Sequence, residues 1–518
     1  MASGKVKKAS ATKAKINLIK GLVITVLLIC VVGFFVYISG ILPRLVTGVK
    51  VVETAADGTQ TTVENVSAME TNYHFVEVFG MYSMYGMVSN DKLDEVMDAT
   101  VPAEEQQTYR EYIYDTAAEE LMNAALVRRS AKDYDYEAHS GAARYAQLQM
   151  DAMRATAENS GYPSFSQYMQ AVYGTGFSAN DYRTFTEREG FVNEFENYMR
   201  QFILVPSTEE IQAAYNNDPT VYERADLNYY FFAAGTDDDG NITGLDKTVS
   251  DATAVMNAVN RGKAFKDAVK TILERDRVAN ENALVSFSDD TVDPTFVSGY
   301  TKETAEYQFK EEVANVIFGE DTVPGEAQIV ELDNGTYVVS LVNRSVDETP
   351  TVSYRTLTLA NPVSGNSEAT PEQIAAEIAD LQAQATKISG EVTADPITFA
   401  DAVKKYSTNA SEILTAGYIS GDKLEGYQSS GEEEVSQVQA DLGAWLFDES
   451  RAAGDIKIVT AEDNSNVTIY YFESLTPAWM NTARDQITTA LVNGWSEDLK
   501  ANTPSTVIHY NLLKTLLY

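Results

Sequence analysis

The sequence predicts a multidomain α+β protein with a transmembrane helix, an all-helical domain, two α+β domains and a C-terminal helix that packs back on the helical domain. Three observations predict this class. An apolar run follows a lysine-rich N-terminus, aromatic and methionine residues then recur at helical spacing, and one α+β pattern occurs twice. A length of 518 residues agrees with roughly three to four domains.

The N-terminal segment has the composition of a membrane anchor. Residues 1–20 hold six lysines and no acidic residue, and an apolar run of 22 residues follows over 21–42. As a helix this run would span about 33 Å, enough for a hydrocarbon core of roughly 30 Å. The positive-inside rule then predicts a cytoplasmic tail over 1–20, a single-pass anchor over 21–42 in the cell membrane, and an extracytoplasmic remainder. A cleaved signal peptide is the alternative.

Charge and composition exclude several classes of function. Residues 1–50 carry eight basic and no acidic residues, which leaves 31 basic and 76 acidic residues, a net charge of −45, for the rest of the chain. Such a field repels nucleic acid, so nucleic-acid binding is excluded. The only cysteine is Cys30, and the three histidines are far apart in sequence. We therefore expect no disulfide, no metal site and no cofactor.

The segment after the anchor is expected to be polar and then helical. Residues 43–68 are predicted to form a stalk or a short hairpin, and residues 69–224 a helical domain with an N-cap at Ser207. The methionine and aromatic series of this domain is either core or an adaptable surface for unfolded chains. Under the second interpretation, the candidate substrate-binding residues are Phe75, Phe79, Met81, Tyr82, Met84, Tyr85, Met150 and Met153.

A repeat defines the next two domains. The hexapeptide Phe-Lys-Asp-Ala-Val-Lys at 265–270 recurs 134 residues later as Phe-Ala-Asp-Ala-Val-Lys at 399–404, and Phe318-Gly319-Glu320 recurs as Phe447-Asp448-Glu449. Both phenylalanine pairs are expected in the core. The repeat predicts domain 1 over 225–346 and domain 2 over 350–476.

Each copy is predicted to fold in the order β-α-α-β-β and to close as a small mixed sheet. The last strand pair of domain 1 turns at Asp333-Asn334-Gly335, and residues 463–465 occupy the equivalent position in domain 2. Residues 477–518 contain a further helix and an apolar tail. Because domain 2 is already complete, this segment is expected to complete the helical domain.

The order of these parts carries a family resemblance. A helical region ends in Thr-Glu-Glu-Ile-Gln-Ala-Ala-Tyr at 208–215, and the modules follow with Phe-x-Asp-Ala-Val-Lys and, in domain 2, the pair Tyr406-Ser407. This pattern resembles the PrsA/SurA/PpiD-type extracytoplasmic foldases. In that family a SurA-N-like chaperone domain carries one or more parvulin-type peptidyl-prolyl isomerase (rotamase) domains. The resemblance implies that unfolded or newly secreted polypeptides are the partners.

The two copies differ from active parvulins at the catalytic positions. The family places one histidine on the first strand and another on the last, beside an acidic or thiol residue and an apolar proline pocket, and neither copy contains a histidine. The equivalent positions fall near Tyr230 and Tyr337 in domain 1, and near Thr356 and Thr468 in domain 2. The pocket aromatic is matched by Phe309 in domain 1 and falls on Val438 in domain 2. By resemblance, the catalytic candidates are Tyr230, Phe309 and Tyr337.

These observations predict a membrane-anchored extracytoplasmic folding factor, a chaperone or holdase of the isomerase family that is weakly active or inactive as an isomerase. An active parvulin-type isomerase is one alternative. An extracellular structural or adhesive scaffold is the other. A homodimer is compatible with the sequence.

Overall fold

The computed structural model describes residues 26, 28, 31, 39–98, 100–102, 106–289, 291–428, 435–511 and 513. The protein is α+β and multidomain, with four sheets. Its helices are α1 (Ile41–Leu45), α2 (Ala68–Met84), α3 (Tyr109–Ala131), α4 (Ala142–Asn159), α5 (Phe165–Tyr173), α6 (Ala179–Tyr198), α7 (Thr208–Asn217), α8 (Leu245–Val259), α9 (Phe265–Leu273), α10 (Glu281–Val285), α11 (Lys302–Phe309), α12 (Glu311–Ile317), α13 (Pro371–Glu391), α14 (Pro396–Tyr406), α15 (Ala410–Thr415), α16 (Gln437–Leu446) and α17 (Ala478–Leu499).

The strands form three larger sheets and one short two-stranded ribbon. They are β1 (Thr47–Thr54), β2 (Gln60–Ser67), β3 (Glu223–Ala233), β4 (Gly235–Thr236), β5 (Ile242–Thr243), β6 (Phe296–Tyr300), β7 (Ala327–Leu332), β8 (Gly335–Val346), β9 (Pro350–Ala360), β10 (Tyr418–Lys423), β11 (Ile456–Thr460), β12 (Asn466–Pro477) and β13 (Pro504–Ile508).

The predicted single-pass membrane anchor is contradicted. In the part of the chain that the structure describes, no helix is long and apolar enough to cross a membrane. The tail over 1–20 and most of the segment 21–42 lie outside the described residues. At the end of that segment Gly40 has a left-handed φ of 67°, and the five-residue helix α1 begins directly after it. A single helix therefore does not continue through to Leu42.

The segment after Gly40 belongs to the helical domain rather than to a stalk. Arg44 donates to both carboxylate oxygens of Asp181 on α6 and to the carbonyl oxygen of Gly176. The hairpin β1–β2 follows, and Val49 and Val51 of β1 are fully buried. Strand β13 pairs antiparallel with β1, so the sheet order is β13-β1-β2. The domain predicted to be all-helical thus contains a three-stranded sheet.

The helices of this domain begin where the sequence supplies capping residues. Thr108, Ser178 and Ser207 each accept a hydrogen bond from the backbone N–H three residues later, and an acidic side chain at that position bonds back to the cap. The predicted N-cap at Ser207 is therefore confirmed. The C-terminal helix α17 packs on α7, where the ring centroids of Trp479 and Tyr215 lie 4.8 Å apart.

Domains 1 and 2 have the same topology. Domain 1 has the sheet order β6-β3-β8-β7, and domain 2 has the order β10-β9-β12-β11. All neighbouring strands pair antiparallel, so the prediction of a mixed sheet is wrong. The strands β6 and β10 were not predicted. The hairpin turn between β7 and β8 is confirmed, with Leu332 paired to Gly335.

In each of these domains the sheet is packed between helices on both faces. Helices α8 and α9 cover one face in domain 1, and α11 and α12 cover the other. In domain 2 the corresponding layers are α13 with α14, and α16. The repeated phenylalanines Phe265, Phe318 and Phe399 are buried and Phe447 is partly buried, which confirms that they are core residues.

Candidate functional site

The catalytic candidates of domain 1 do not share one site. The ring of Phe309 lies 5.9 Å from that of Tyr337, and both pack on the face covered by α11 and α12. Tyr230 lies on the opposite face, where it packs against Phe232 and Phe287. Its neighbour Tyr229 occupies the expected place, 4.7 Å from Phe309. Because side chains alternate along a strand, an error of one residue moved the candidate to the wrong face.

The predicted pocket of domain 1 is filled by its own side chains. Phe309 is only 1% exposed, and the rings of Tyr229, Tyr300 and Tyr337 surround it at 4.7 to 5.9 Å between centroids. Burial raises the pKa of Tyr229 and of Tyr337, so both hydroxyls stay protonated near neutral pH. This cluster is well packed core, and it leaves no room for a substrate side chain beside Phe309.

In domain 2 the two equivalent positions lie on the same face of the sheet, on neighbouring strands. Thr356 on β9 and Thr468 on β12 both lie on the face covered by α16, and each is 8% exposed. The hydroxyl of Thr358 lies 3.3 Å from that of Thr468. A buried carboxylate lies beside β9, because Oε1 of Glu412 accepts hydrogen bonds from the hydroxyls of Thr356 at 2.9 Å and of Thr358 at 2.6 Å.

Glu412 was missed by sequence reasoning, and its surroundings limit what it can do. Besides the two threonine hydroxyls, its Oε2 accepts from the backbone N–H of Thr358 at 2.8 Å and from the hydroxyl of Ser407 at 2.6 Å. Four donors therefore occupy the acceptor positions of a carboxylate that is only 8% exposed. This arrangement holds α15 against β9, and it leaves no acceptor position for a proton from a substrate.

An open groove of about 640 Å³ lies beside these residues in domain 2. One wall is helix α16, with Val438 and Leu442, and the other is the hairpin of β11 and β12, with Val459 and Tyr470. The remaining lining residues are Tyr354, Tyr427, Ser436, Gln439, Ala461, Glu462, Asp463, Asn466 and Thr468. The groove lies on the sheet face that Phe309 occupies in domain 1, and Val438 has a smaller side chain at the matching offset.

The floor of the groove is held by two tyrosines and one carboxylate. The hydroxyls of Tyr354 and Tyr427 donate to Oδ2 of Asp422 at 2.7 and 2.9 Å, and they lie 3.0 Å from each other. Burial is the main cause that raises the pKa of both tyrosines, and the neighbouring Asp422 raises it further. These hydroxyls therefore stay protonated and fix the positions of the rings that line the groove.

The predicted substrate-binding residues of the helical domain divide into core and surface. Phe75 and Met150 are buried, and Phe79, Tyr82 and Met153 are partly buried and pack against the same clusters. These five belong to the core, which corrects their proposed exposure. Three residues at the end of α2 remain exposed, namely Met81 at 45%, Met84 at 76% and Tyr85 at 68%.

Domain 2 is attached to the helical domain through polar side chains of the repeat. Nδ1 of His139 lies 3.0 and 3.1 Å from the two oxygens of Asp401, and Nζ of Lys404 lies 2.8 Å from the hydroxyl of Tyr136. The same hydroxyl lies 3.4 Å from Oε2 of Glu194. Asp401 and Lys404 are the third and sixth residues of the repeated hexapeptide. Their role could not be read from the motif, because Asp267 and Lys270 of domain 1 make no such contact.

A cavity of about 1470 Å³ in the helical domain has a different character. Its arginines are ion-paired with glutamates: Arg128 with Glu64 at 2.9 Å, and Arg129 with Glu53 at 2.6 Å. Arg188 pairs with Glu70, also at 2.9 Å. These charges satisfy one another. Among the residues that the structure describes, no group of three or more metal-binding side chains converges.

No family model matches the sequence, and no curated protein matches it significantly. The function is therefore inferred from the residues that line the groove and from the comparison of the two copies of the domain.

Proposed function

We propose that this protein is a chaperone-type holding factor that binds extended segments of unfolded polypeptides in the groove of domain 2, without catalysing a reaction on them. The observation that carries the proposal is the contrast between the two copies. Phe309 and three tyrosines fill the sheet face of domain 1, whereas the same face of domain 2 keeps an open groove lined by tyrosines and aliphatic side chains.

The arrangement of domains supports the proposed kinship with the parvulin-bearing foldases. A helical domain precedes two copies of one small α+β domain, and a C-terminal helix returns to pack on it. This is the order that the resemblance implies. Architecture and short motifs are the observations that support this kinship.

The lining of the groove suits a polypeptide better than a small polar metabolite. Val438, Val459 and Tyr470 are partly exposed and offer apolar contact, and the ring of Tyr470 lies 5.9 Å from that of the buried Tyr354. Aromatic and aliphatic walls with a few polar groups at the ends are typical of sites for apolar side chains such as proline or leucine. An extended segment would place one such side chain between α16 and the β11–β12 hairpin.

Holding is favoured over catalysis by the polar groups beside the groove. Rotation of a prolyl peptide bond has a barrier of about 18–20 kcal/mol, which an isomerase must lower. Of the threonines at the two positions equivalent to histidine, Thr356 donates to Glu412, and Thr468 donates to Oδ1 of Asn466 and lies 3.3 Å from the hydroxyl of Thr358. Four donors saturate Glu412 itself. Their hydrogen bonds are directed within the domain rather than at a bound amide.

A second surface supports contact with unfolded chains. Met81, Met84 and Tyr85 project from the end of α2, and flexible methionine side chains adapt to varied apolar partners. The rest of the surface carries a strong negative charge, which keeps a complex with an aggregation-prone client soluble.

The proposal is tested with a chemically denatured client and a fluorescently labelled proline-containing peptide. We expect the protein to suppress aggregation of the client and to bind the peptide. The variant Val438→Trp should weaken peptide binding about tenfold or more, because the indole fills the groove. The matched control is Val323→Trp, which adds the same ring at an exposed valine of domain 1.

Three outcomes would contradict the proposal. Binding that is insensitive to Val438→Trp would exclude the groove as the site. If the protein neither binds the peptide nor suppresses aggregation, the alternative of a structural or adhesive scaffold is favoured. Protease-coupled turnover of a proline peptide, well above background and lost in Val438→Trp, would favour an active isomerase.

A further inference from the structure

The charged residues that line the groove of domain 2 all have the same sign. They are Glu462 and Asp463, which lie in the turn between β11 and β12 and are exposed. No lysine or arginine is among the lining residues. The groove therefore has an apolar centre and an acidic end.

These two carboxylates have no cationic partner in the described part of the chain. Within the described ranges, no lysine, arginine or histidine forms an ion pair with Glu462 or Asp463. Lys457, on the same strand as Val459, donates instead to the carbonyl oxygen of Asp441 at 2.9 Å. The backbone N–H of Ser465 donates to Oδ1 of Asp463 at 2.9 Å, and the hydrogen bonds from Ser465 lower the pKa of this carboxyl.

Domain 1 shows the opposite arrangement at the equivalent turn. There Nζ of Lys310 lies 3.6 Å from Oδ1 of Asp333, so the hairpin acid has a cationic partner from the protein. In domain 1 the turn carboxylate is thus paired with a lysine. In domain 2 the turn carboxylates lie at the end of the groove.

Resting on the proposed function, we infer that domain 2 selects polypeptide segments in which an apolar residue is flanked by lysine or arginine. The apolar side chain packs against the partly exposed Val438, Val459 and Tyr470, and the flanking cation lies against Glu462 and Asp463. Attraction between exposed charges is modest and is screened by salt, so it acts as a selectivity filter added to the apolar contact.

The test uses three labelled peptides with the same Gly/Ser background and the cores Lys-Leu-Pro-Lys, Gln-Leu-Pro-Gln and Glu-Leu-Pro-Glu, measured by fluorescence anisotropy. At low salt we expect the lysine peptide to bind about five- to tenfold more tightly than the glutamine peptide, and the glutamate peptide to bind most weakly. The preference should shrink as the ionic strength rises to 0.5 M.

The double variant Glu462→Gln/Asp463→Asn should abolish the preference while leaving the affinity for the glutamine peptide within about twofold. The control is Asp333→Asn, which removes the turn carboxylate of domain 1 and should change nothing. Equal affinity for all three peptides, or a preference that survives the double variant, would overturn the inference and leave the proposed function standing. If none of the peptides binds, the proposed function itself fails.

Discussion

The guanidinium carbon of Arg355 lies 4.8 Å from the ring centroid of Phe202, so a buried cation of domain 2 packs on an aromatic ring of the helical domain. Its Nη1 donates to Oε1 of Gln201 at 2.8 Å, and its Nε to Oε1 of Glu473 at 2.5 Å. Gln201 and Phe202 belong to the π-helical turn Met199–Ile203 that continues α6. Arg355 is 1% exposed, so this contact joins the two domains away from solvent.

The substitution Arg355→Lys is expected to lower the free energy of unfolding by about 2–3 kcal/mol. An ammonium group cannot reproduce the planar stacking and the directed hydrogen bonds of a guanidinium group, and the acceptors on Gln201 and Glu473 lose their donor. Urea unfolding measures the change. Arg451→Lys in the same domain is the control and should change stability by less than about 1 kcal/mol, since that side chain is partly exposed. Equal effects of the two variants would contradict the prediction.

Lys404 is expected to make the stability of the protein depend on pH in mildly alkaline solution. Burial lowers its pKa from 10.5 to about 8, partly offset by Glu194 and Asp401. Between about pH 8 and 10.5 the unfolded chain therefore binds more protons at this residue than the folded chain, and stability rises with pH. The difference in unfolding free energy between the parent protein and Lys404→Met should increase in favour of the parent from pH 7.5 to 9.5.

The control for Lys404 is the matching residue of the other copy. Lys270 donates to the carbonyl oxygen of Phe287 inside domain 1 and contacts no carboxylate of the helical domain. Lys270→Met is therefore measured over the same pH range as the control for loss of a lysine from this motif. A flat difference for Lys404→Met across this range would show that Lys404 keeps an ordinary proton affinity in the folded state.

The substitution Glu412→Gln is expected to destabilise domain 2 by about 2–4 kcal/mol. A glutamine places an N–H₂ group against hydroxyl and backbone donors, so at least one buried donor loses its acceptor. The control Glu425→Gln lies in the same domain but is exposed, and it should have almost no effect. Denaturant unfolding measures the stability of both variants. Tryptophan fluorescence follows the transition, since Trp445 lies in this domain.

Gly417 and Gly421 form a matched pair for a backbone test. Both have a left-handed φ, 68° and 76°, but a Cβ at 417 would lie 2.0 Å from the carbonyl oxygen of Thr356, whereas a Cβ at 421 meets nothing within 4 Å. Gly421→Ala should therefore cost about 1 kcal/mol of stability, and Gly417→Ala about 3 kcal/mol or more. Similar losses for the two would show that β9 moves away without strain.

Part of this architecture follows directly from local sequence. The Asn334-Gly335 turn, the Ser207 cap and the buried phenylalanines of the repeat are features that a few neighbouring residues determine. The strands β6 and β10 were missed because each is short and contains a glycine, which is unfavourable in a strand. The predicted sheet type was wrong because β3 pairs antiparallel with β8, and β9 with β12, which the order β-α-α-β-β does not determine.

The candidate site was harder to predict because it depends on partners far apart in the chain. Whether Tyr229 or Tyr230 faces Phe309 depends on the register of β3, which contains a bulge near Asp226. From the sequence, Glu412 would be expected to be an exposed helix residue. In the folded protein it is buried against β9. The left-handed φ of Gly40 and the contact of Arg44 with Asp181 on α6 could not be predicted from the composition of residues 21–42.

The pairing of β1 with β13 sets an order on the synthesis of this protein. Strand β1 lacks its second neighbour until residues 504–508 have been made, 450 residues after β1 itself ends. At about 5–20 residues per second, translation of that stretch takes roughly 20–90 s. Domains 1 and 2 have self-contained sheets and can fold during this interval. The sheet that contains β1 is therefore completed only after domains 1 and 2 have been made.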